Sequence, residues 1–361
     1  MLYIVIAILM FGLLIALHEF GHFAAAKLCG VKVNEFAIGM GPKLFHKKGK
    51  ETEYTIRALP IGGFCAMEGE EEGESPDPRA FPNRPWWQRL IILLAGVFMN
   101  FLTGLVIILC LFASYEAFSA PVVQGFSEVW SAQEQGLARE DRILSIDGHR
   151  VYLTGDIALF LSRSKDDRVD LEVLRGDKKI LLKDFQFYGE DSESGITDYY
   201  LGIVPGYEIN SPLVLLKYAW FQAIDYVRMV WIGLGDLVTG VVGLRDMSGP
   251  VEITHMMAQM GEEGAAIAEK NGMLPLLGAL LSILNLISFI SINLSVMNLL
   301  PIPALDGGQI FFMAVNGILL MVRGRKLDQK YQGWVTAAGF AALMLLMVAV
   351  TISDILKQFG I

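Results

Sequence analysis

His18, Glu19 and His22 stand at the spacing H-E-x-x-H inside an apolar stretch that runs from Met1 to Leu28. An ionisable side chain at bilayer depth costs at least ~2.5–3.5 kcal/mol, so groups kept there have a partner or a task. In a helix, residues four apart leave the same face, so both imidazoles can reach one ion while Glu19 sits one position on. Two neutral imidazoles can hold a zinc ion, which lowers the pKa of a water from ~15.7 toward ~7, and the carboxylate can take the proton. A catalytic zinc site commonly adds one carboxylate ligand and keeps an open position. Asp306 fits that place: Pro301 and Pro303 break the helix ahead of it, and Gly307-Gly308 allows close approach. Alone, Asp306 would read as the cap of a helix from Gly308 to Val322; its depth, matching that of His18 and His22, favours the ligand. Cys29 lies seven residues beyond His22, but a small buried apolar role suits it better.

These residues need a membrane scaffold, and the composition provides one. The chain has 361 residues, 53% hydrophobic and 19% charged, with a mean hydropathy of +0.47. That is membrane-class composition with room for a water-facing module. The N-terminal stretch lacks a basic leader and a small-residue cleavage site, so it is expected to be retained. Net charge is −9 with no basic stripe, which argues against nucleic acid as a partner. Three cysteines, Cys29, Cys65 and Cys110, do not make a disulfide framework.

In chain order, residues 1–28 form the first span. Residues 29–89 read as a cytoplasmic-side β-hairpin region, with runs such as Phe36 to Pro42 and Leu59 to Phe64 broken by Gly and Pro, followed by an acidic and Pro-rich connector from Glu68 onward. Trp86-Trp87-Gln88-Arg89 marks an interface ahead of the second span, 90–113. Within that span Gly96 and Asn100 are four apart, where a second helix can approach and the amide wants a partner. Residues 117–206 read as a mixed α/β domain, with short helices near Ala132 to Gly136 and Asp156 to Arg163. Residues 207–275 read as amphipathic and juxtamembrane helices. The third span and its following helix occupy 276–322, and the last span 332–356. Basic residues after the first span and before the last, Arg323, Arg325, Lys326 and Lys330 among them, put those connectors in the cytoplasm and the 117–206 domain outside.

His18-Glu19-Phe20-Gly21-His22, Gly96-x-x-x-Asn100, a PDZ-like domain between the second and third spans, and Asn298-x-x-Pro301-x-Pro303-x-Leu305-Asp306-Gly307 together resemble the site-two protease family, in particular its regulator-of-sigma-E protease group. The resemblance covers essentially the whole chain. It implies a polytopic α-helical fold of four transmembrane helices, a membrane-associated β-hairpin region and one inserted PDZ-like domain. It further implies a zinc ion on His18, His22 and Asp306, with Glu19 as general base, hydrolysing a peptide bond within or beside a transmembrane segment in the bacterial cytoplasmic membrane. Partners so implied are single-pass membrane proteins, such as anti-sigma factors trimmed outside beforehand, and remnant signal peptides. Asn298, Asn100 and the segment from Phe36 to Phe64 would help to hold an extended substrate.

Gly136-Leu137-Ala138-Arg139-Glu140-Asp141-Arg142-Ile143 resembles a bacterial PDZ pattern, with Glu140 in place of its second glycine. Tyr200-Leu201-Gly202-Ile203 then offers a carboxylate-binding loop in which the Leu201 and Gly202 backbone would receive a peptide C-terminus. Two other classes compete with the protease: a zinc or proton transporter, which should place further ionisable groups through the spans, and a non-catalytic PDZ scaffold, which has no need of Glu19.

Overall fold

α1 (Leu2–Leu28) is built from Leu, Ile, Ala and Phe with no internal proline, and it ends where a residue with positive φ is required. Gly30 supplies φ +71. Its N–H reaches the Lys27 carbonyl at 3.1 Å while that of Val31 reaches Ala26 at 2.8 Å, a paired closure that satisfies the last carbonyls of the helix. The computed structural model of the protein describes residues 2–70, 75–127, 132–164, 166–191, 197–243, 247–325 and 327–358. Residues 71–74 of the acidic connector and Lys326 of the orientation argument lie outside them.

By contacts the chain divides into two units, residues 1–108 with 226–361, and residues 109–225. In the first, β1 (Val33–Lys48) and β2 (Glu53–Met67) follow α1. The sequence anticipates several short hairpins here. Two long bent strands form instead, because register shifts let each continue through its glycines, with Gly39 at φ +85 absorbing one bend. Phe36 is in register with both Cys65 and Tyr54, and Phe45 with Ile56, so β1 and β2 fold back to leave residues 59–67 along one margin.

α2 (Trp86–Phe112) packs beside α1, and Ala26, Val33, Cys65, Met67, Ile92 and Leu93 form a buried cluster between these elements. After α4 (Pro212–Thr239), which runs from one unit into the other, come α5 (Pro250–Lys270), α6 (Pro275–Asn298), α7 (Asp306–Arg323) and α8 (Gln329–Gln358). Hydroxyls tie α6 to α2: Ser291 Oγ donates to the Asn100 carbonyl at 2.7 Å and Ser295 Oγ to that of Val97 at 3.0 Å. Asp354 on α8, 1% exposed, accepts the N–H groups of Gly249 and Glu252 at 3.1 Å each and so caps α5 from 105 residues away. Four helices are long and apolar enough to cross a membrane, with spans Ile8–Leu28, Trp86–Phe112, Pro275–Asn298 and Lys330–Lys357, so the protein is a membrane protein.

The second unit holds a sheet in the order β10-β3-β4-β6-β7, made of β3 (Ala117–Phe126), β4 (Arg142–Ile146), β6 (Arg168–Arg175), β7 (Lys178–Gln186) and β10 (Ile203–Ile209). The short β5 (His149–Arg150) pairs with β4, and β8 (Tyr188–Asp191) with β9 (Thr197–Tyr200). α3 (Gly155–Leu161) covers part of a core that includes Val123, Ile143, Leu171, Val173 and Phe185. Residues 132–136, expected as a short helix, form turns ending at Gly136 with φ +100. Five residues give one hydrogen-bonded turn, too little to offset helix nucleation.

Candidate metal centre

His18 and His22 share one face of α1, as their spacing requires, and the irregular segment after α6 returns Asp306 to that face as the first residue of α7. Pro301 and Pro303 keep residues 299–305 out of helix. Gly307 then lies against the carbonyls of Leu299 and Leu300, so closely that a side chain there has no room. Asp306 Oδ2 is 3.2 Å from His18 Nε2 and 3.3 Å from His22 Nε2, and the two nitrogens are 3.1 Å apart.

This triangle fits a metal ion. Ligand bonds of ~2.0–2.1 Å at tetrahedral angles separate donor atoms by about 3.3 Å. Asp306 Oδ2 is buried and makes no hydrogen bond of acceptable geometry, although both nitrogens are near. A desolvated acceptor without a donor costs about 1–3 kcal/mol, and a shared cation removes that cost. Among the described residues, His18, His22 and Asp306 are the one group of three such side chains whose ligand atoms converge, all within 4.8 Å of one another.

The far sides of both rings are also held. His22 Nδ1 lies 2.8 Å from the Ile92 carbonyl, which accepts its proton and leaves the Nε2 lone pair available to a metal. His18 Nδ1 faces the Asn100 side-chain amide at 3.2 Å, while Asn100 Oδ1 lacks a partner. Turning that amide by 180° lets Oδ1 accept the Nδ1 proton, which frees His18 Nε2 in the same way. Space for both rings comes from Gly96, where a Cβ would sit 2.9 Å from His18 Cε1 and closer still to His22.

Glu19 is half-buried, and its side chain lies against Gly63 of β2, with Cγ 3.5 Å from where a Cβ on that glycine would sit. Asn298 ends α6 with its amide nitrogen 3.5 Å from His18 Nε2 and is half-buried. Asn100 is 1% exposed, and its amide faces the His18 ring. In the second unit, Leu201 is 2% exposed within the core, and Gly202, at φ +73, gives its carbonyl to the Ser127 N–H at 2.9 Å.

Residues 6–346 match peptidase family M50. The chain belongs to this family, the site-2 proteases. It is 39% identical over 356 residues to a protein of Clostridium acetobutylicum named as a candidate zinc metalloprotease, covering 98% of this chain and 97% of that one. It is also 28% identical over 433 residues to the regulator of sigma-W protease RasP of Bacillus subtilis, covering 98% of each. The zinc metalloprotease RasP of Geobacillus kaustophilus is 29% identical over 434 residues, with 98% and 97% covered. This M50 chain is a zinc metalloprotease, as its resemblance at the level of motifs implied.

Two contacts of the M50 site lie beyond sequence reasoning. The Ile92 carbonyl is a backbone group, which no residue letter advertises. Gly96 is visible as a small residue four before Asn100, but its use as space for two imidazoles emerges only from the packing of α2 on α1.

Proposed function

We propose that this M50 metalloprotease hydrolyses peptide bonds within or beside the transmembrane segment of single-pass membrane proteins. In this reading His18, His22 and Asp306 hold the zinc, and Glu19 is the general base. The observation that carries it is the convergence of three lone-pair donors on one face of a membrane-length helix, with Glu19 next in the same turn.

Zinc in that site supplies Lewis acidity, polarising an amide carbonyl and acidifying water. The residues do the rest. Glu19 takes the proton of the attacking water and returns it to the leaving amine. Asn100 and the Ile92 carbonyl fix the imidazoles in the tautomer that leaves Nε2 free. Asn298, half-buried at the end of α6, is placed to donate to a carbonyl oxygen of the substrate. A helical substrate has its amides bonded internally, so its backbone must open first, and residues 59–67 at the margin of β1 and β2 offer an edge to the unwound strand.

The name of the Bacillus relative, a regulator of sigma-W protease, points to anti-sigma-factor-like proteins as the substrate class here. The 117–206 domain, with the backbone of Leu201 and Gly202, is assigned a PDZ-like role outside the cytoplasmic membrane, receiving C-termini left by an earlier cut. The test is cleavage of a tagged single-span protein with a short external end, by purified wild-type and Glu19→Gln protein, with and without a zinc chelator. Cleavage by zinc-loaded wild type alone supports the reading. Cleavage by Glu19→Gln at the wild-type rate would remove Glu19 as the base.

A further inference from the structure

Two buried serines on one face of α6 donate across to α2. Ser291 Oγ reaches the Asn100 carbonyl at 2.7 Å and Ser295 Oγ that of Val97 at 3.0 Å. One turn before them, a Cβ on Gly104 would sit 2.9 Å from the Ser288 carbonyl. Positions 288, 291 and 295 thus meet 104, 100 and 97 in turn, as two antiparallel helices in fixed register do. Asn298 continues that face of α6, and its amide nitrogen is 3.5 Å from His18 Nε2.

The turn of α2 that accepts these bonds is also the turn that supports the histidines. Gly96 gives room to both imidazoles, and the Asn100 side chain faces His18 Nδ1 at 3.2 Å while its carbonyl receives Ser291. From Asn298 to Asp306 the chain then has no slack. The N–H of Leu300 bonds to the Met297 carbonyl at 3.1 Å, that of Ile302 to Leu300 at 2.7 Å and that of Leu305 to Ile302 at 3.1 Å. Gly307 and Gly308 press on the carbonyls of Leu299, Leu300 and Ile302. A slide of α6 along α2 is therefore carried to Asp306. Apolar side chains resist such a slide weakly in a bilayer, where lipid offers them equivalent contacts, so directed bonds between helices fix the register.

Resting on the zinc-site reading above, we propose that Ser291 and Ser295 are positioning residues of this protease, pinning α6 to α2 so that Asp306 meets His18 and His22. The two pins lie one turn apart and act jointly. Either alone stops α6 from sliding, and loss of both frees it. Ser288 provides the contrast: it is buried on the same side of α6, but its hydroxyl donates to the Asn285 carbonyl of its own helix at 2.6 Å and pins nothing.

The test uses full-length protein in detergent, comparing Ser291→Ala, Ser295→Ala, the double variant Ser291→Ala with Ser295→Ala, and a second double, Ser288→Ala with Ser291→Ala. The second removes as many hydroxyls but leaves one pin. Zinc loss to a competing chelator and cleavage of the single-span reporter are the readouts, with thermal unfolding measured alongside. Each single variant should stay within about twofold of wild type, and so should the second double. The first double should lose zinc roughly 10-fold faster, as for removal of a group that orients a metal ligand, and its kcat should fall with KM unchanged. Zinc loss in the first double no greater than the product of its singles, a second double that loses zinc as fast as the first, or losses that simply follow the unfolding temperature would each overturn the proposal. Asp306→Asn in the same chelator assay separates the two readings: undiminished zinc retention there sinks the ligand assignment whatever the serines do.

Discussion

The Asn100 amide and His18 Nδ1 lie 3.2 Å apart, joining the second helix to the first histidine of the candidate metal centre across 82 residues of sequence. A neutral imidazole that offers Nε2 to a metal must protonate Nδ1, and Asn100 Oδ1 becomes its acceptor once the amide is turned by 180°. The partner sets the ring's tautomer and its orientation together.

Asn100→Leu should therefore weaken zinc binding by roughly 10–100-fold while leaving the spans intact. Chelator competition on the purified variant measures this. Asn100→Asp, which keeps an acceptor, should retain more zinc than Asn100→Leu; equal loss in both would show that the hydrogen bond to His18 is not what matters.

Glu19→Gln and Asp306→Asn should separate turnover from metal. The first removes the base but no ligand, so zinc should stay stoichiometric while cleavage falls by at least ~10²–10⁴-fold. The second should lose zinc. Metal analysis after gel filtration reads both, and full zinc retention in Asp306→Asn would take that residue out of the ligand set.

Ala304 has φ +83 two residues before Asp306, a conformation that costs a residue with a Cβ about 1–2 kcal/mol. Ala304→Gly should raise the unfolding temperature of the detergent-solubilised protein by relieving it, and Ala304→Val should lower it. If Ala304→Gly is also slower at cleavage with zinc bound, the rigidity of the segment before Asp306 is what catalysis uses.

In the second unit, burial raises the Asp141 carboxyl, but Arg175, with Nε and one Nη each at 2.7 Å, and the Ala138 N–H at 2.8 Å outweigh it and hold it below the ordinary range. A depressed folded value adds stability above the unfolded pKa of ~3.9 that disappears as pH falls through the folded value. Amide exchange in β4 and β6 should thus accelerate below about pH 4, and Arg175→Leu should flatten that dependence. An unchanged pH profile in Arg175→Leu would contradict this account.

The shared face of His18 and His22 was legible in the sequence because it is local: residues four apart on a helix face one way whatever surrounds the helix. Hydropathy likewise determined the four membrane-length helices, since bilayer thickness fixes their length. Asp306 was legible only in part, through the prolines and glycines around it, because nothing local says which helix a distant carboxylate will meet. Tertiary structure alone decided the rest. The bond from His22 to the Ile92 carbonyl uses the backbone, which every residue carries, so only the packing of α2 on α1 selects which group serves. The same packing made Asn100 a neighbour of His18, because α2 approaches α1 closely enough at Gly96 to bury the amide against the ring.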